Sequence, residues 1–324
     1  MDGYIALDTG RRRTLKAAIG CVGIGLHSGR RTRLTLRPAA HGTGIVFRRT
    51  DLGLEIPALY DHVADTRLCT VLAAPEAPQH RIGTVEHVMA ALAGCGVDDA
   101  VVEVDGPEVP ILDGSASPFV FLLDCVGLTP QGFLGAGQAE AIEVLRPVRV
   151  QEGEGPNAAW AELAPNGGSG FEAALSIDFA GTAIGRQSLA LRLSPQAFRD
   201  SLADARTFTL AEDVARLRAA GLALGGSLAN AVVVDGPLVL NPGGLRRPDE
   251  FVRHKMLDVV GDLALAGAPV RGRFTGHRSG HALNNRLLRA LFADRANWRA
   301  LPSGAALDGG ARMPAAAAAA AAVA

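Results

Sequence analysis

The sequence predicts an α+β fold organised as two similar domains, and three observations favour it. The chain has 324 residues, and at roughly 150 residues per domain this length favours two domains. Hydrophobic residues make up 48% of the chain and aromatic residues only 5%, so a large aliphatic core is available. Short β patterns and helical patterns follow one another in a similar order in both halves, without a repeat in the letters. We therefore expect an N-terminal domain at 11–135, a C-terminal domain at 136–300 and a disordered Ala-rich tail at 301–324.

The first half predicts a sheet with two helices. Residues 14–60 show the alternation of half-buried strands, for example in "TRLTLRPA" and "GIVFRRTDL". The segment "TVEHVMAALAGCGV" predicts a helix with Thr84 as N-cap and Gly94 near its C-cap. After the strand and turn of "DAVVEVDGPEVPIL", the segment "SPFVFLLDCVGL" predicts a second helix that begins at Ser117 and Pro118. Helices gathered on one face of a sheet are typical of the α+β class.

The second half predicts another set of strands and helices after a linker and entry strand at 131–145. Strands are expected at 143–151, 158–163, 171–179, 186–193 and near 231–240, and helices at 194–203, 211–219, 251–263 and 281–294. Between the last two helices, "VRGRFTGHRSG" predicts a strand followed by a loop.

Charge and cysteine usage limit the classes of function. The formal net charge of −1 does not favour binding of nucleic acid or of an anionic membrane. The four cysteines, Cys21, Cys69, Cys95 and Cys125, form no CxxC pair. They favour free thiols in a reducing compartment over a Cys-rich zinc module. With no apolar signal-peptide core and no run of the ~20 apolar residues that a membrane span needs, a cytoplasmic protein is expected.

The helix "FVRHKMLDVVGDL" carries ionisable residues among apolar ones. His254, Asp258 and Asp262 are spaced four apart, so they share one face, while Lys255 is turned roughly 100° round the axis. Burying such charges without partners costs several kcal/mol, and a metal ion bound by His254 and Asp258 offsets that cost. A solvated face with an i,i+4 pair is the alternative for an isolated HxxxD.

Two further segments carry candidate catalytic groups. In "TVEHV", Glu86 stands beside His87. A zinc hydrolase requires a carboxylate of this kind near its activated water. In "GHRSGHALNN", His281 begins a helix. A surface dipeptide and a capping histidine are the respective alternatives. Two histidines, one carboxylate and an open position are typical of a catalytic zinc site, although such a site also admits iron(II) or cobalt.

Seven segments together resemble a known enzyme family. In order they are "RTLKAAIGCVGIGLHSG", "TVEHVMAALAGCGVDD", "PEVPILDGSASPFV", "ARTFTL", "GLALGGSLANAVV", "FVRHKMLDVVGDLALAG" and "SGHALNN". Over about residues 12–290 the chain is similar to the UDP-3-O-acyl-N-acetylglucosamine deacetylases, zinc enzymes of lipid A biosynthesis in Gram-negative bacteria. The resemblance implies two α+β domains, each a β-sheet with two helices, with the helix layers packed between the sheets and the site between the domains.

The resemblance also assigns roles in the reaction. It implies zinc ligands at His87, His254 and Asp258. It implies a general base at Glu86, a cationic general acid or stabiliser at His281, a carboxylate orienting that histidine at Asp262, and an oxyanion hydroxyl at Thr207. The implied reaction is attack of a zinc-activated water on the acetamide of UDP-3-O-[(R)-3-hydroxyacyl]-N-acetylglucosamine, releasing acetate and leaving a free amine.

Substrate contacts follow from the same resemblance. It implies a diphosphate contact at Lys255, an aromatic stack on uracil at Phe179, and an insert at Thr209–Ser227 lining an acyl-chain passage. Passage walls are expected at Phe208, Ala223 and Gly226, although each is also consistent with ordinary core. His277 stands where family members often have Tyr, and is either a weak extra ligand or a surface residue. We expect a monomer that binds this UDP-sugar substrate, with no nucleic-acid partner and no membrane span.

Two other classes of function compete with this interpretation. "GLALGGSLANA" is similar to the Gly-rich phosphate loop of galactokinase-like small-molecule kinases. No Walker-type lysine follows that loop, and a kinase leaves the Glu86 and His254 segments unexplained. A non-enzymatic UDP-sugar binding module is the second alternative, and it requires no metal.

Overall fold

A computed structural model describes residues 12–131, 139–155, 158–168 and 170–302. Within these ranges the first half contains two α-helices and ten strands. They are β1 (Arg13–Leu15), β2 (Ile19–Ile24), β3 (Arg31–Pro38), β4 (Ile45–Arg49), β5 (Leu54–Pro57), β6 (Val63–Asp65), β7 (Val71–Ala74), β8 (Ala77–Ile82), α1 (Glu86–Cys95), β9 (Ala100–Val104), α2 (Ser117–Val126) and β10 (Leu128–Pro130).

The strands of the first half form one main sheet and two small ones. The main sheet has the order β2-β3-β9-β4-β5, with β4 parallel to β9 and the other neighbours antiparallel. Alternation places Leu34 and Leu36 of β3 in the core, as the period of two in a strand requires. Strands β6, β7 and β8 form an antiparallel sheet, and β1 pairs with β10.

The described part of the second half contains four α-helices and ten strands. They are β11 (Ala139–Val144), β12 (Val148–Glu152), β13 (Ala159–Ala164), β14 (Phe171–Phe179), β15 (Gly185–Arg192), α3 (Pro195–Ser201), β16 (Phe208–Leu210), α4 (Ala211–Ala219), β17 (Val232–Asp235), β18 (Leu238–Val239), α5 (Glu250–Leu263), β19 (Val270–His277), α6 (His281–Ala293) and β20 (Trp298–Pro302). Strand β19 is central to a seven-stranded sheet. It runs parallel to β14 and antiparallel to β13, and β16, β17 and β18 form a separate small sheet.

The helices lie between the two main sheets, which confirms the predicted α+β class and its layers. Helix α1 packs against α5, α5 packs against β14 and β15, and α2 packs against β2. The crossing of α1 and α5 depends on Gly261, because a Cβ there would lie 2.1 Å from the carbonyl oxygen of Glu86. The helix that carries the "HKMLD" motif therefore touches the first turn of the helix that carries Glu86 and His87.

Several local predictions need correction. Thr84 is not the N-cap of α1: it has a positive φ of 58°, and Val85 precedes the helix without a side-chain cap. The C-cap is Gly96, with φ 74°; Gly94 is near it, as predicted, in the last turn of the helix and against Phe198. The strand expected at 143–151 is two strands, β11 and β12, because the Pro147 segment interrupts the ladder.

The ends of the predicted segments fall partly outside the described residues. Residues 132–138 of the predicted linker and residues 303–324 of the predicted tail are among those not described. Strand β20 ends at Pro302, two residues past the predicted boundary at 300. Within the described ranges, no helix combines the length and the apolarity that crossing a membrane would take.

Candidate active site

Two helices present the candidate catalytic groups to one another. Helix α1 begins with Glu86 and His87, and α5 carries His254, Asp258 and Asp262 one turn apart. All five side chains are buried, with exposures of 2–4%.

The turn before α1 is fixed by a buried carboxylate. Glu108 accepts hydrogen bonds from the Thr84 hydroxyl at 2.9 Å and from the backbone N–H groups of His27 and Ser28, each at 2.9 Å. Thr84 has the positive φ of 58° that the turn requires. A non-glycine residue in this region is uncommon, and the hydrogen bond to Glu108 stabilises it. The helix thus starts with Glu86 directed at the site.

Three donor groups converge into a cluster that suits a metal ion. The Nε2 atoms of His87 and His254 lie 3.8 and 3.4 Å from Oδ1 of Asp258. One donor atom from each of the three residues lies within 4.8 Å of the others. The two imidazole rings cross at 85° with centroids 5.0 Å apart.

The contacts of these residues fit a bound cation. Nδ1 of His254 donates to the carbonyl oxygen of Ala205 at 3.0 Å, which leaves its Nε2 as an acceptor. Lys255 donates to Oδ2 of Asp258 at 2.7 Å, while the other oxygen, Oδ1, is buried and has no hydrogen-bond partner among the described residues. A buried carboxylate oxygen without a partner is costly, and a divalent metal would satisfy it. Two imidazoles and one carboxylate are the donor set of a catalytic zinc site.

A proton-transfer group lies beside the cluster. Nδ1 of His281 and the side-chain nitrogen of Asn284 donate to Oδ2 of Asp262, each at 2.8 Å. Nε2 of His281 lies 4.0 Å from Oε1 of Glu86. Thr70 joins the two acids: its hydroxyl donates to Oδ1 of Asp262 at 2.6 Å and its backbone N–H donates to Oε2 of Glu86 at 3.0 Å.

Burial and neighbouring charge move the pKa values of these groups in different directions. Burial raises the pKa of Glu86 to about 7, against the opposing effect of His281. Burial alone would lower the pKa of His281, but the charge and hydrogen bond of Asp262 outweigh it and raise this pKa to about 9. The pKa of His87 falls to about 3, through burial and the neighbouring His254, so His87 is neutral and can bind a metal. The site therefore combines a neutral imidazole, a carboxyl poised near neutrality and a cationic histidine.

Comparison with known proteins identifies the family. The model of the LpxC family, UDP-3-O-acyl N-acetylglycosamine deacetylase, matches residues 12–293. The chain belongs to this family. Relatives named UDP-3-O-acyl-N-acetylglucosamine deacetylase come from Shewanella sp. (strain W3-18-1), Shewanella halifaxensis (strain HAW-EB4) and Shewanella baltica (strain OS155 / ATCC BAA-1091). They are 48%, 47% and 48% identical to this chain over 291 residues, which is 89% of this chain and 91% of each relative. The LpxC family is one of metal-dependent enzymes, in agreement with the three-residue cluster.

Two aromatic residues that the LpxC resemblance singled out, Phe208 and Phe179, lie on the His254 side of this cluster. The Phe208 ring is 6.2 Å from that of His254 and 5.7 Å from that of Phe179, with edge-to-face geometry in both pairs. Thr207 precedes Phe208 and is half-buried, with its backbone N–H on the Gly114 carbonyl at 2.8 Å. No hydrogen bond of its hydroxyl is found in the described part of the chain.

The loop that contains Ala223 and Gly226 contacts the first half of the chain. The N–H groups of Leu224 and Gly225 donate to the carbonyl oxygens of His27 and Leu26, at 3.2 and 3.0 Å. Ala223 and Gly226 are half-buried, and Ala223 has a positive φ of 52°. The loop therefore lies on the His27 turn that Glu108 holds.

Two predicted residues differ in their contacts from what the sequence suggests. Lys255 is turned roughly 100° from His254 on the helix, as expected. Its ammonium nevertheless bends back to Asp258, because residues three apart on a helix are neighbours and a buried carboxylate attracts a cation. His277 lies outside the three-residue cluster and its Nδ1 is 2.8 Å from the Ser176 hydroxyl.

Three groups of the site were not predicted from the sequence. The side chain of Thr70 carries no sequence signal, since it lies in a loop segment 192 positions from Asp262. Ala205 begins the quoted "ARTFTL" segment, but its contribution is a backbone carbonyl, which any residue type could supply. Asn284 is different, because it belongs to the quoted "SGHALNN" motif and lies one turn from His281 on the same helix. A role beside Asp262 could have been inferred from that spacing.

Proposed function

We propose that this chain hydrolyses the acetamide of UDP-3-O-[(R)-3-hydroxyacyl]-N-acetylglucosamine to a free amine and acetate, the committed deacetylation of lipid A biosynthesis. The buried His87–His254–Asp258 cluster, with Glu86 and His281 beside it in a chain of the deacetylase family, is the observation that carries this proposal. The three residues of the cluster are assigned to hold one divalent ion, with zinc as the first choice and iron(II) as the alternative. When bound, this ion supplies Lewis-acid activation of a water molecule and of the acetamide carbonyl.

Glu86 acts as the general base. Its carboxylate accepts a proton from the attacking water as the water oxygen bonds to the carbonyl carbon. A pKa of about 7, raised by burial, suits this transfer near neutral pH. The backbone N–H of Thr70 holds Oε2 of Glu86, which leaves Oε1, 4.0 Å from His281, directed at the reacting groups.

His281 holds the second proton of the reaction. Its Nδ1 hydrogen bond to Asp262 keeps the ring cationic and directs Nε2 toward the site. The cation stabilises the negative charge that develops on the carbonyl oxygen, with the Thr207 hydroxyl assigned as a further donor. Nε2 then donates its proton to the amide nitrogen as the C–N bond breaks, so the products are acetate and the free amine.

Substrate recognition is assigned to groups around this centre. The ring of Phe179 is assigned to stack on uracil. The ammonium of Lys255, which is hydrogen-bonded to Asp258, is assigned to contact the diphosphate as well. Phe208, Ala223 and Gly226 are assigned to the wall of the acyl passage. We assign its mouth to two exposed apolar side chains at the contact of this loop with the first half: Leu224, which is 54% exposed, and Ile24, which is 47% exposed and lies against Gly225. At ~0.8 kcal/mol per buried CH₂, a chain of about ten carbons contributes up to ~8 kcal/mol before losses.

The cellular location is part of the proposal. All four cysteines, which lie within the described residues, are free thiols. Free thiols agree with a reducing compartment, and we assign the enzyme to the cytoplasm, where its nucleotide-sugar substrate would be met.

Acetate release tests the proposal directly. Purified protein is given UDP-3-O-acyl-N-acetylglucosamine before metal removal, after chelation, and after addition of zinc or iron(II). Loss of release on chelation and recovery with about one metal per chain is the expected result. Binding of the UDP-sugar without metal-dependent release would instead support the binding-module alternative, and ATP-dependent phosphorylation of a sugar would support the kinase.

A further inference from the structure

We propose that Glu250 is a positioning residue for the metal centre. It acts on a segment between α3 and β16, residues Asp204–Thr207, which is called the strap below. Glu250 contacts Arg206 within the strap and Arg246 outside it, and Arg246 contacts the strap in turn. This inference rests on the proposed function, because it takes His254 as a metal ligand. Glu250 is the first residue of α5 and lies one turn before His254. Its contacts therefore join the start of this helix to the strap, which also contacts His254.

The carboxylate of Glu250 is fully buried and fully hydrogen-bonded. Its Oε1 accepts from the backbone N–H of Arg206 at 3.0 Å and from Nε of Arg206 at 2.8 Å. Its Oε2 accepts from the second guanidinium nitrogen of Arg206 at 3.1 Å and from the backbone N–H of Arg246 at 2.7 Å. With 0% exposure, this charge is stabilised by these contacts alone among the described residues. The bidentate pair and the backbone bond together fix Arg206 in both position and direction.

The strap in turn orients a metal ligand. Ala205, next to Arg206, places its carbonyl oxygen 3.0 Å from Nδ1 of His254. That hydrogen bond selects the tautomer with a proton on Nδ1 and a free pair on Nε2, the atom that faces Asp258. A displaced Ala205 carbonyl would free the ring to rotate or change tautomer. Glu250 therefore acts on His254 through Arg206 and Ala205 without touching the reacting atoms.

The strap also contacts the half of the chain that supplies Glu86 and His87. The guanidinium of Arg246 reaches Oδ2 of Asp113 at 2.9 Å and the carbonyl oxygen of Asp204 at 2.8 Å. The N–H of Thr207 donates to the carbonyl oxygen of Gly114 at 2.8 Å. Gly114 has a φ of 84°, and a Cβ there would lie 2.1 Å from the backbone oxygen of Asn230, so the turn can approach only with glycine. One buried carboxylate thus connects the ligand helix, the strap and the turn of the other half.

The first test is Glu250→Gln, with Asp249→Asn as the matched control. Gln keeps the size of the side chain but removes its charge and one acceptor oxygen. Asp249 is the adjacent acid, and its side chain contacts Arg253 rather than the strap. We expect a 10–100-fold loss of zinc affinity and of kcat/KM for Glu250→Gln, a changed visible spectrum of its Co²⁺ form, and near-normal values for Asp249→Asn.

The tautomer of His254 provides a readout that needs neither metal nor turnover. Nitrogen-15 NMR of metal-free, histidine-labelled protein should show an Nδ1–H tautomer for His254 in the wild type and a mixture in Glu250→Gln. Arg206→Lys, which keeps the charge but loses the bidentate contact, should lie between the two and covers the case in which Glu250→Gln does not fold.

Two results would overturn the inference. One is a variant with lower thermal stability but wild-type zinc affinity, Co²⁺ spectrum and His254 tautomer, because Glu250 would then be structural only. The other is an equal effect of Asp249→Asn. Absence of acetate release by the wild type would instead refute the proposed function, while the tautomer measurement would still decide the role of Glu250.

Discussion

Asp258 and Glu86 are buried carboxylates of the same site with opposite pKa shifts. Burial raises the pKa of both, but Lys255 and the neighbouring histidines outweigh it at Asp258 and hold that pKa below its usual range. At Glu86 burial dominates and the pKa is about 7. Asp258 therefore stays anionic, as a ligand must, while Glu86 can gain and lose a proton near neutral pH.

Glu86→Gln is expected to separate metal binding from catalysis. Gln retains an oxygen for the Thr70 N–H but cannot accept a proton from water. We expect a fall in kcat of about 10²–10⁴-fold with one metal per chain retained. Turnover and metal content are measured on the same preparation.

The comparison for that experiment is Asp258→Ala. It removes a donor group of the cluster and is expected to lose the metal together with activity. A near-normal rate in Glu86→Gln would remove Glu86 as the base, and stoichiometric metal in Asp258→Ala would exclude Asp258 from the ligand set.

The Asp262–His281 pair predicts the basic limb of the pH–rate profile. Because the pKa of His281 is raised to about 9, the ring is protonated below that pH and loses its proton as pH rises through it. Activity that requires the cation should fall over this range. Asp262→Asn removes the main stabilising charge, so the limb should move to lower pH, toward the ordinary histidine value of about 6.5. His281→Ala should slow the reaction and flatten the limb.

The readout for this pair is kcat/KM between pH 5 and 10. If the basic limb lay at the same pH in the wild type, in Asp262→Asn and in His281→Ala, the limb would belong to a group other than His281. Thr70 and Asn284 also donate hydrogen bonds to Asp262, and the asparagine of the Asp262→Asn variant can keep part of this network. The shift is therefore expected without loss of the fold.

At the scale of elements, the contact of α1 with α5 depends on one missing side chain. Gly261→Ala would place Cβ 2.1 Å from the backbone oxygen of Glu86. A backbone clash cannot be relieved by a rotamer change, so the helices must separate. We expect a loss of about 1–3 kcal/mol in the free energy of unfolding and a larger relative loss of activity, because Glu86 and His87 lie in the displaced turn.

Denaturant unfolding and acetate release measure these two effects. Gly243→Ala is the matched control, since a Cβ at Gly243 meets no atom within 4 Å. Wild-type stability and activity in Gly261→Ala would show that the helix contact tolerates a methyl group and would contradict the prediction.

Pattern and period predicted the long elements well. Helix α4 and strand β14 have the predicted bounds, and α5 and α6 differ from theirs by one residue. These segments carry a clear 3.6 or 2.0 period over seven or more residues. Strands β6, β7 and β8 were not predicted, because they are short and their pairing is decided by distant contacts rather than by local alternation.

The site was predictable to the extent that its groups share a helix or a motif. The four-residue spacing of His254, Asp258 and Asp262 predicts that they share one helix face, while their roles came from the family resemblance. The meeting of Glu86 with His281 requires the tertiary fold. Thr70 shows the limit, since it lies 192 positions from Asp262, which accepts its hydroxyl. The domain boundaries expected near residues 135 and 300 remain a prediction.

At the scale of the whole molecule, the three residues proposed to hold the metal come from both halves of the chain. Within the described residues, every strand pair joins strands of the same half, so the halves meet through helix packing, loops and the site. A metal bound to His87 from one half and to His254 and Asp258 from the other therefore links them. Metal binding should contribute directly to the stability of the complete fold.

The melting temperature is therefore expected to depend on metal concentration. A ligand that binds only the folded state at a thousand times its Kd stabilises it by about 4 kcal/mol, which at roughly 2 °C per kcal/mol is a rise on the order of 8 °C for a chain of this size. Calorimetry of stripped protein with added zinc measures the shift. Asp258→Ala should lose most of it, while Asp235→Ala, which removes an exposed acid at the end of β17, should keep it. An equal shift in both variants would mean that zinc binds elsewhere, and a metal link between the two halves would be excluded.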